Sequence, residues 1–376
     1  METAITDDAV KKIFTVNLGV RKDEKVLVFT DIIRGEEILS DADRRRRESL
    51  KDTVKEIAKA GKEYCNITYA EYASQMEHGK EPPAELWEMA FGGKTIAELK
   101  KGGLLEKILN KTADAKDLRA GESIITGLAD SPNAIIALSN FSTSHTRFRD
   151  YLTRCLGVRY ASMPLFERSM LVGAMSADWK EVECRTNRIV DMMTGGDMIF
   201  ITSHNGTSIC FSMKDRDILA DTGILVKPGA FGNLPAGEAF LAPLEGTAEG
   251  ILVLEWAPTG KLAESIELDV KNGRVVAVKG DSAFALSLKE KILNNPLFGN
   301  IAELGIGTND KAKRPDNILE TEKILGTVHI ALGDNSSFGG KVSVPFHEDF
   351  IFFRPTLEVF RAGQKSEIIV DGEPKF

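Results

Sequence analysis

A change of sequence pattern near residue 195 constrains the fold of this chain more than any other feature. Before it, short apolar runs such as KVLVFTD (25–31) and NITYAEY (66–72) alternate with longer segments of helical periodicity. After it, glycine turns separate runs in which apolar and polar residues alternate. We therefore predict an α/β fold, with a doubly wound, Rossmann-like domain over 1–194 and a strand-rich α+β domain over 195–376.

Turn-forming and helix-ending residues predict where individual helices and strands begin and end. Within SIITGLADSPNAIIALSNF (123–141), a turn at 130–133 separates two strand candidates. The segment SADWKEVECRTNRIVDMMTGG (176–196) is predicted to be a helix that its final glycines end. The sequence KNGR (271–274) lies between two alternating runs and predicts a β-hairpin turn.

Composition excludes several classes of partner. The chain has 48 Lys and Arg against 56 Asp and Glu, a net charge of −8, so it offers no basic field for nucleic acid. Apolar runs such as MIFIT (198–202) are far shorter than the roughly 18 residues of a membrane span. The N-terminal METAITDDAVKKIF lacks the pattern of a signal peptide, and the four cysteines are widely spaced. We expect a cytoplasmic protein with free thiols that binds neither nucleic acid nor membrane.

Five ionisable residues of the C-terminal half lie in unusual surroundings. Glu303 lies in the apolar run NIAELGIGTN, and His329 lies in the middle of the strand candidate TVHIALG. His347 and Asp349 are two residues apart in PFHEDFIFF, so a strand points both to one side. Glu238 follows a Pro/Gly turn in NLPAGEAFLAP. Each alone fits a core histidine or a turn carboxylate, but together they favour one metal site, because buried carboxylates need pairing or a metal.

The charges of this group favour two metal ions. A further carboxylate, Glu322 in LETEKILGTVH, brings the negative charges to four when counted with Glu238, Glu303 and Asp349. Two divalent cations match that charge, and carboxylate and imidazole donors suit Zn²⁺, Co²⁺ or Mn²⁺. Such a pair activates a bridging water and stabilises the transition state of a hydrolysis. Peptide or amide hydrolysis is therefore the predicted reaction.

These segments resemble the thermophilic metallo-aminopeptidases of the aminopeptidase T and aminopeptidase S type. The specific motifs are NLPAGEAFLAP, AELGIGTN, HIALG and the terminal His-x-Asp, all between 233 and 349. The resemblance implies a homodimer of two-domain subunits that binds two divalent cations and cleaves single residues from peptide N-termini. It implies these metal ligands: Glu238, Glu303, His329, His347 and Asp349. Glu303 would bridge the ions, and Glu322 would be an outer ligand or the general base.

One position departs from the aminopeptidase pattern. Family members carry a tyrosine seven residues after the histidine of HIALG, and this chain has Ser336 there. Loss of a donor to the developing oxyanion costs about 3 kcal/mol of transition-state stabilisation. A family member that binds metal without peptidase turnover is therefore one alternative.

A second alternative is a mononuclear non-haem Fe(II) ring-cleaving dioxygenase. His329, His347 and Asp349 make two histidines and one carboxylate, the ligand set of such oxygenases. Some ring-cleaving dioxygenases that act on dihydroxypyridines resemble the same peptidase fold. We place the hydrolase first because a mononuclear site does not need the further carboxylates of the cluster. Metal content distinguishes the two, with two Zn, Co or Mn ions per chain against one Fe.

Overall fold

The structure is a computed structural model that describes residues 7–258 and 260–375. The chain divides into two compact units, Met1–Ser176 with Gly223–Pro235 and Ala177–Thr222 with Ala236–Phe376. The first holds a parallel sheet with helices and the second is rich in antiparallel strands, so the predicted fold class is confirmed. No helix in the described residues combines the length and the apolar character needed to cross a membrane.

In chain order, the strands are β1 Lys25–Ile32, β2 Asn66–Ala73, β3 Ala134–Ala137, β4 Arg159–Ser162, β5 Met198–Ser203, β6 Ser208–Ser212, β7 Leu219–Asp221, β8 Phe231–Asn233, β9 Glu238–Leu241, β10 Glu249–Ala257, β11 Gly260–Lys271, β12 Arg274–Lys279, β13 Ile301–Gly307, β14 Val328–Gly333, β15 His347–Phe352, β16 Pro355–Arg361, β17 Gln364–Val370 and β18 Glu373–Pro374. The α-helices are α1 Asp7–Lys12, α2 Asp41–Gly61, α3 Ala84–Phe91, α4 Gly93–Lys100, α5 Leu104–Leu109, α6 Ala115–Leu128, α7 Arg147–Asp150, α8 Trp179–Met193, α9 Ala283–Asn294 and α10 Ile318–Thr321.

The first unit is built on a parallel sheet with the strand order β2-β1-β3-β4-β8. Strands β3 and β4 are buried along their whole length, as expected when helices cover both faces of a parallel sheet. Helix α2 begins after Ser40, whose side chain accepts a hydrogen bond from the backbone of Asp43. Its apolar stripe of Leu50, Val54 and Ile57 is buried.

One predicted strand is wrong. The residues before the turn at 130–133 belong to helix α6, which continues to Leu128. The Asp114 side chain accepts hydrogen bonds from the backbone nitrogens of Lys116 and Asp117, and the Asp117 side chain reaches back to the Asp114 backbone. This capping box starts a helix that runs through the β-branched segment. The second candidate forms β3, as predicted.

The second unit contains two antiparallel sheets. Their strand orders are β12-β11-β10-β6-β5-β16-β17-β18 and β15-β14-β13-β9-β7. Apolar residues of both sheets and of α8 and α9 form one buried cluster. The predicted hairpin turn is confirmed, because Lys271 pairs with Arg274 and the two residues between them have positive φ angles of 49° and 77°.

The division into units differs from the predicted boundary after residue 194. Helix α8 groups with the second unit because Ile189 and Met193 pack in the same apolar cluster as its strands. The segment Gly223–Pro235 belongs to the first unit, where β8 pairs in parallel with β4. The change of pattern near 195 thus marks the start of the antiparallel strands.

A buried ion pair stabilises the first unit. Nη2 of Arg159 lies 2.6 Å from Oε2 of Glu24, and the two side chains are only 9% and 6% exposed. The same guanidinium donates hydrogen bonds to the carbonyl oxygens of Leu18 and Gly19. One arginine therefore joins the start of β4 to the segment before β1.

We predict that Arg159→Met lowers the free energy of unfolding by about 3 kcal/mol, because it leaves buried polar groups without their partner. Urea unfolding followed by circular dichroism measures the loss. The matched control is Arg154→Met, whose pair with Glu122 is exposed and is expected to change stability by about 0–1 kcal/mol. Equal losses in the two variants would contradict the prediction.

Candidate metal centre

The sheet β15-β14-β13-β9-β7 has two unlike faces, because side chains alternate along each strand. One face is apolar and joins the core of the second unit. Its residues are Ala239, Leu241, Leu304, Ile306, Val328, Ile330, Leu332, Phe350 and Phe352. The predicted ligands alternate with these residues and therefore lie on the other face.

The register of the strands brings those ligands side by side. Each has a glycine or alanine directly opposite on one neighbouring strand, although His329 also pairs with Ile351 and Glu238 with Asp221 on the other side. The pairs with glycine or alanine are Glu303–Ala331, Asp349–Ala331, His329–Gly305, Glu238–Gly307 and His347–Gly333. Small partners leave space above the sheet, so the long polar side chains converge there without steric conflict.

Glu303 lies at the centre of the cluster. Its Oε1 is 3.5 Å from Nε2 of His329, and its Oε2 is 3.4 Å from Nε2 of His347. The His329 nitrogen is also 3.5 Å from Oε2 of Glu238, and the His347 nitrogen is 3.6 Å from Oδ1 of Asp349. The structure thus brings the five predicted ligands together around one carboxylate.

The five residues form two overlapping sets. The ligand atoms of Glu238, Glu303 and His329 lie within 4.8 Å of one another, and so do those of Glu303, His347 and Asp349. His329, His347 and Asp349 do not form a set of their own at this distance in the part of the chain that is described. Both imidazoles nevertheless face the carboxylate of Glu303, so the ligand set predicted for an Fe(II) dioxygenase lies within this one cluster.

The cluster fits a metal ion. Among the described atoms, Oε2 of Glu238 and Oδ1 of Asp349 are buried and have no hydrogen-bond partner. Such atoms are rare in folded proteins, and here each faces an imidazole nitrogen of its own set. Carboxylate oxygen and imidazole nitrogen are donors that first-row divalent metals accept. The prediction of metal binding is supported in this general form.

A backbone contact orients His347. Its Nδ1 lies 2.7 Å from the carbonyl oxygen of Asp334, and since a carbonyl only accepts, Nδ1 carries the proton. Nε2 is then free to face Glu303 and Asp349, the usual arrangement of a ligating histidine. Ser336, at the position of the aminopeptidase tyrosine, donates through Oγ to the Asp334 carboxylate at 3.1 Å. Ser336 therefore stabilises the loop that carries this carbonyl.

The cluster contains one residue that sequence reasoning missed. The side chain of Lys323 is fully buried, and its Nζ lies 2.6 Å from Oε1 of Glu238 and 3.0 Å from Oε2 of Glu322. Glu322, predicted as an outer ligand or base, belongs to neither set and binds this ammonium. No periodicity marks Lys323, because it lies in the irregular segment between α10 and β14.

Burial and charge oppose each other in setting the pKa values of the cluster. Burial lowers the pKa of His329, but Glu303 and Glu238 outweigh it and raise the value to about 9. Burial raises the pKa of Glu322 to about 8 despite the charge of Lys323. Burial also lowers the pKa of Lys323, yet Glu238 and Glu322 hold it well above its usual value. The ammonium of Lys323 is therefore charged at neutral pH.

Gly305 makes room for the imidazole of His329. A Cβ atom at this position would lie 2.0 Å from Nε2 and from Cε1 of His329, which pairs with it across the ladder. Any side chain there would displace the imidazole.

We predict that Gly305→Ala moves His329, which lies 3.5 Å from the Glu303 carboxylate, and thereby weakens metal binding by about 10–100-fold, the usual effect of disturbing the surroundings of a ligand. Titration of the folded protein with Mn²⁺ measures the affinity. The control is Gly260→Ala in β11, where an added methyl group meets no atom within 4 Å. An unchanged affinity in Gly305→Ala would show that His329 does not contribute to binding.

Comparison with known proteins favours one of the two predicted activities. The family model described as NicX, 2,5-dihydroxypyridine 5,6-dioxygenase, matches residues 135–372, well over half of the chain. This chain belongs to the 2,5-dihydroxypyridine 5,6-dioxygenase family. The matched region contains both candidate ligand sets and Lys323.

Individual proteins share only modest sequence identity with this chain. The 2,5-dihydroxypyridine 5,6-dioxygenase of Pseudomonas putida KT2440 is 25% identical over 166 residues, which are 40% of this chain and 47% of that protein. The chain thus matches about half the length of this curated relative. In structure, the dioxygenase from the same organism has a TM-score of 0.66 at 17% identity, covering 98% of each chain. AmpT from Thermus thermophilus has a TM-score of 0.55 at 14% identity, also over 98% of each chain. These two similarities show the fold.

The prediction of an aminopeptidase is wrong, and with it the assignment to hydrolases and proteolysis. The family match supports the dioxygenase that was the alternative. Resemblance to the aminopeptidases is confirmed for the fold, through AmpT. The error came from counting carboxylates as ligands of two metals. Two of them, Glu238 and Glu322, already bind the ammonium of Lys323, a source of positive charge that the count left out.

Proposed function

We propose that this protein is a ring-cleaving dioxygenase that uses one Fe(II) ion to open a hydroxylated pyridine ring. In this reaction one ring C–C bond breaks and both atoms of dioxygen enter the product, so no further reductant is needed. The observation that carries the proposal is the set of Glu303, His347 and Asp349, which lies within the region matched by the dioxygenase family.

This set is the better candidate of the two for the iron. Its histidine is held by the backbone with Nε2 turned to the two carboxylates. The side chain of His347 is 32% exposed, whereas that of His329 in the other set is 1% exposed. A substrate therefore reaches the first set more directly. When bound there, Fe(II) supplies the electron-transfer chemistry through which dioxygen reacts with an aromatic ring.

Glu322 is our candidate for the group that takes a proton from a substrate hydroxyl. It interacts with Asp349 of the ligand set and is held in place by Lys323 at 3.0 Å. Its pKa, raised by burial to about 8, is closer than that of an ordinary carboxyl to the value of about 10 for a phenolic hydroxyl, and the ionised form that accepts a proton becomes more abundant as the pH rises towards 8. Proton transfer is efficient when the two values approach each other. The resulting anion is more electron-rich and more readily oxidised.

The direct test is dioxygen consumption. We expect protein reconstituted anaerobically with Fe(II) to bind about one Fe per chain and to consume dioxygen with 2,5-dihydroxypyridine or a related dihydroxypyridine. Two oxygen atoms from ¹⁸O₂ should appear in the ring-opened product by mass spectrometry. His347→Ala is expected to lose both the iron and the reaction while remaining folded.

The same preparations separate the dioxygenase from a peptidase. After loading with Zn²⁺ or Co²⁺, they should not release p-nitroaniline from amino-acid p-nitroanilides. Iron-loaded protein that consumes no dioxygen with any hydroxylated pyridine of the panel would refute the proposal.

Glu322→Gln tests the proposed proton acceptor. We expect kcat to fall by about 10²–10⁴-fold with the iron content unchanged, because an amide cannot take the proton. The control is Glu358→Gln, which removes a carboxylate that pairs with Lys365 on the second unit's other sheet. Loss of iron in Glu322→Gln, with full kcat restored by excess Fe(II), would instead make Glu322 a ligand.

A further inference from the structure

The set of Glu238, Glu303 and His329 has the spacing of a metal site, yet one of its carboxylates is already engaged. Oε1 of Glu238 is 2.6 Å from Nζ of Lys323, while Oε2 faces His329. A divalent cation in this set would bind the same carboxylate as the ammonium. In a buried environment the two positive charges would repel each other strongly.

We infer that the ammonium of Lys323 takes the place of a second divalent cation and restricts the cluster to one metal ion. This inference rests on the proposed function in assigning that ion to the set of Glu303, His347 and Asp349. Lys323 would then be a positioning residue that acts through Glu238 and Glu322.

Lys323 is held firmly in this position. Its side chain has no exposed surface, so the ammonium is shielded from water. Its backbone nitrogen donates to the carbonyl oxygen of Glu320 at 3.0 Å, and its carbonyl oxygen accepts from the backbone nitrogen of Asn309 at 2.9 Å. Both contacts fix the segment from which the side chain enters the cluster.

The carboxylates of the cluster divide between the ammonium and the set near His347. Lys323 binds two carboxylates, those of Glu238 and Glu322. The two that remain near His347 are Glu303 and Asp349. Glu303 and Asp349 together carry the charge that one divalent cation matches, while the ammonium contributes a single positive charge beside Glu238 and Glu322. The second set therefore keeps its geometry, but the ammonium already occupies the carboxylate that a second cation would need.

Replacement of Lys323 by methionine tests the inference, because methionine has a similar length and no charge. Mn²⁺ is the probe, with the bound metal measured by equilibrium dialysis and elemental analysis and the spectrum by electron paramagnetic resonance. We expect wild-type protein to bind about one Mn²⁺ per chain with the spectrum of an isolated ion, and Lys323→Met to bind about two with the broadened spectrum of a magnetically coupled pair.

Lys311→Met is the matched control. Lys311 lies in the same connection between β13 and β14, is 49% exposed and pairs with Asp310, so its loss should leave the stoichiometry at about one. If Lys323→Met does not fold, Lys323→Met combined with Glu322→Gln removes one unpaired carboxylate and keeps the second set complete. The double variant is also expected to bind about two ions.

Two results would overturn the inference. Wild-type protein that binds two Mn²⁺ ions per chain is one, and a folded lysine variant that still binds only one is the other. A different result would contradict the proposed function alone. Suppose that the wild type binds one Mn²⁺ and the variant binds two, but the iron-loaded wild type consumes no dioxygen. This result would refute the dioxygenase and leave the role of Lys323 intact.

Discussion

The buried carboxylates of the second unit need positive charges or hydrogen-bond donors beside them, and the rest of the site depends on this requirement. Glu238 and Glu303 are only 7% and 8% exposed, and both lie on one face of one sheet. Carboxylates removed from water are unstable unless cations or hydrogen-bond donors surround them. Lys323 supplies one positive charge, and two imidazoles face the remaining oxygen atoms. The unpartnered Oδ1 of Asp349 shows where a metal ion completes the compensation in our proposal.

The sheet that carries the cluster fixes the positions of its side chains. Its opposite face is packed into the apolar core, so a shift of register by one residue would exchange polar and apolar side chains between the two faces. Strands β9, β13, β14 and β15 each contribute to the site, and a glycine or alanine on one side of each ligand keeps space open above the ladder. A site built on paired strands in this way is more rigid than one built on loops.

Similar donor residues on one fold serve different reactions. The fold is shared with AmpT, while the family match is to a dioxygenase. A list of carboxylates and histidines therefore does not identify the chemistry. The partners of each carboxylate matter as much as their number. An ammonium that binds Glu238 and Glu322 changes how much positive charge the cluster still requires.

Much of this protein follows from its sequence, because alternation, turns and caps act over short distances. The two-unit α/β class, the hairpin at 271–274 and the common orientation of His347 and Asp349 are all local consequences of strand periodicity. The strand wrongly predicted before residue 130 shows the limit of the pattern, since the capping box at Asp114 and Asp117 made the segment part of a helix. Only the tertiary structure decided that Lys323 meets Glu238, which is 85 residues away. That pairing depends on strand register and on the removal of water from both groups, and neither is encoded in the residues next to them.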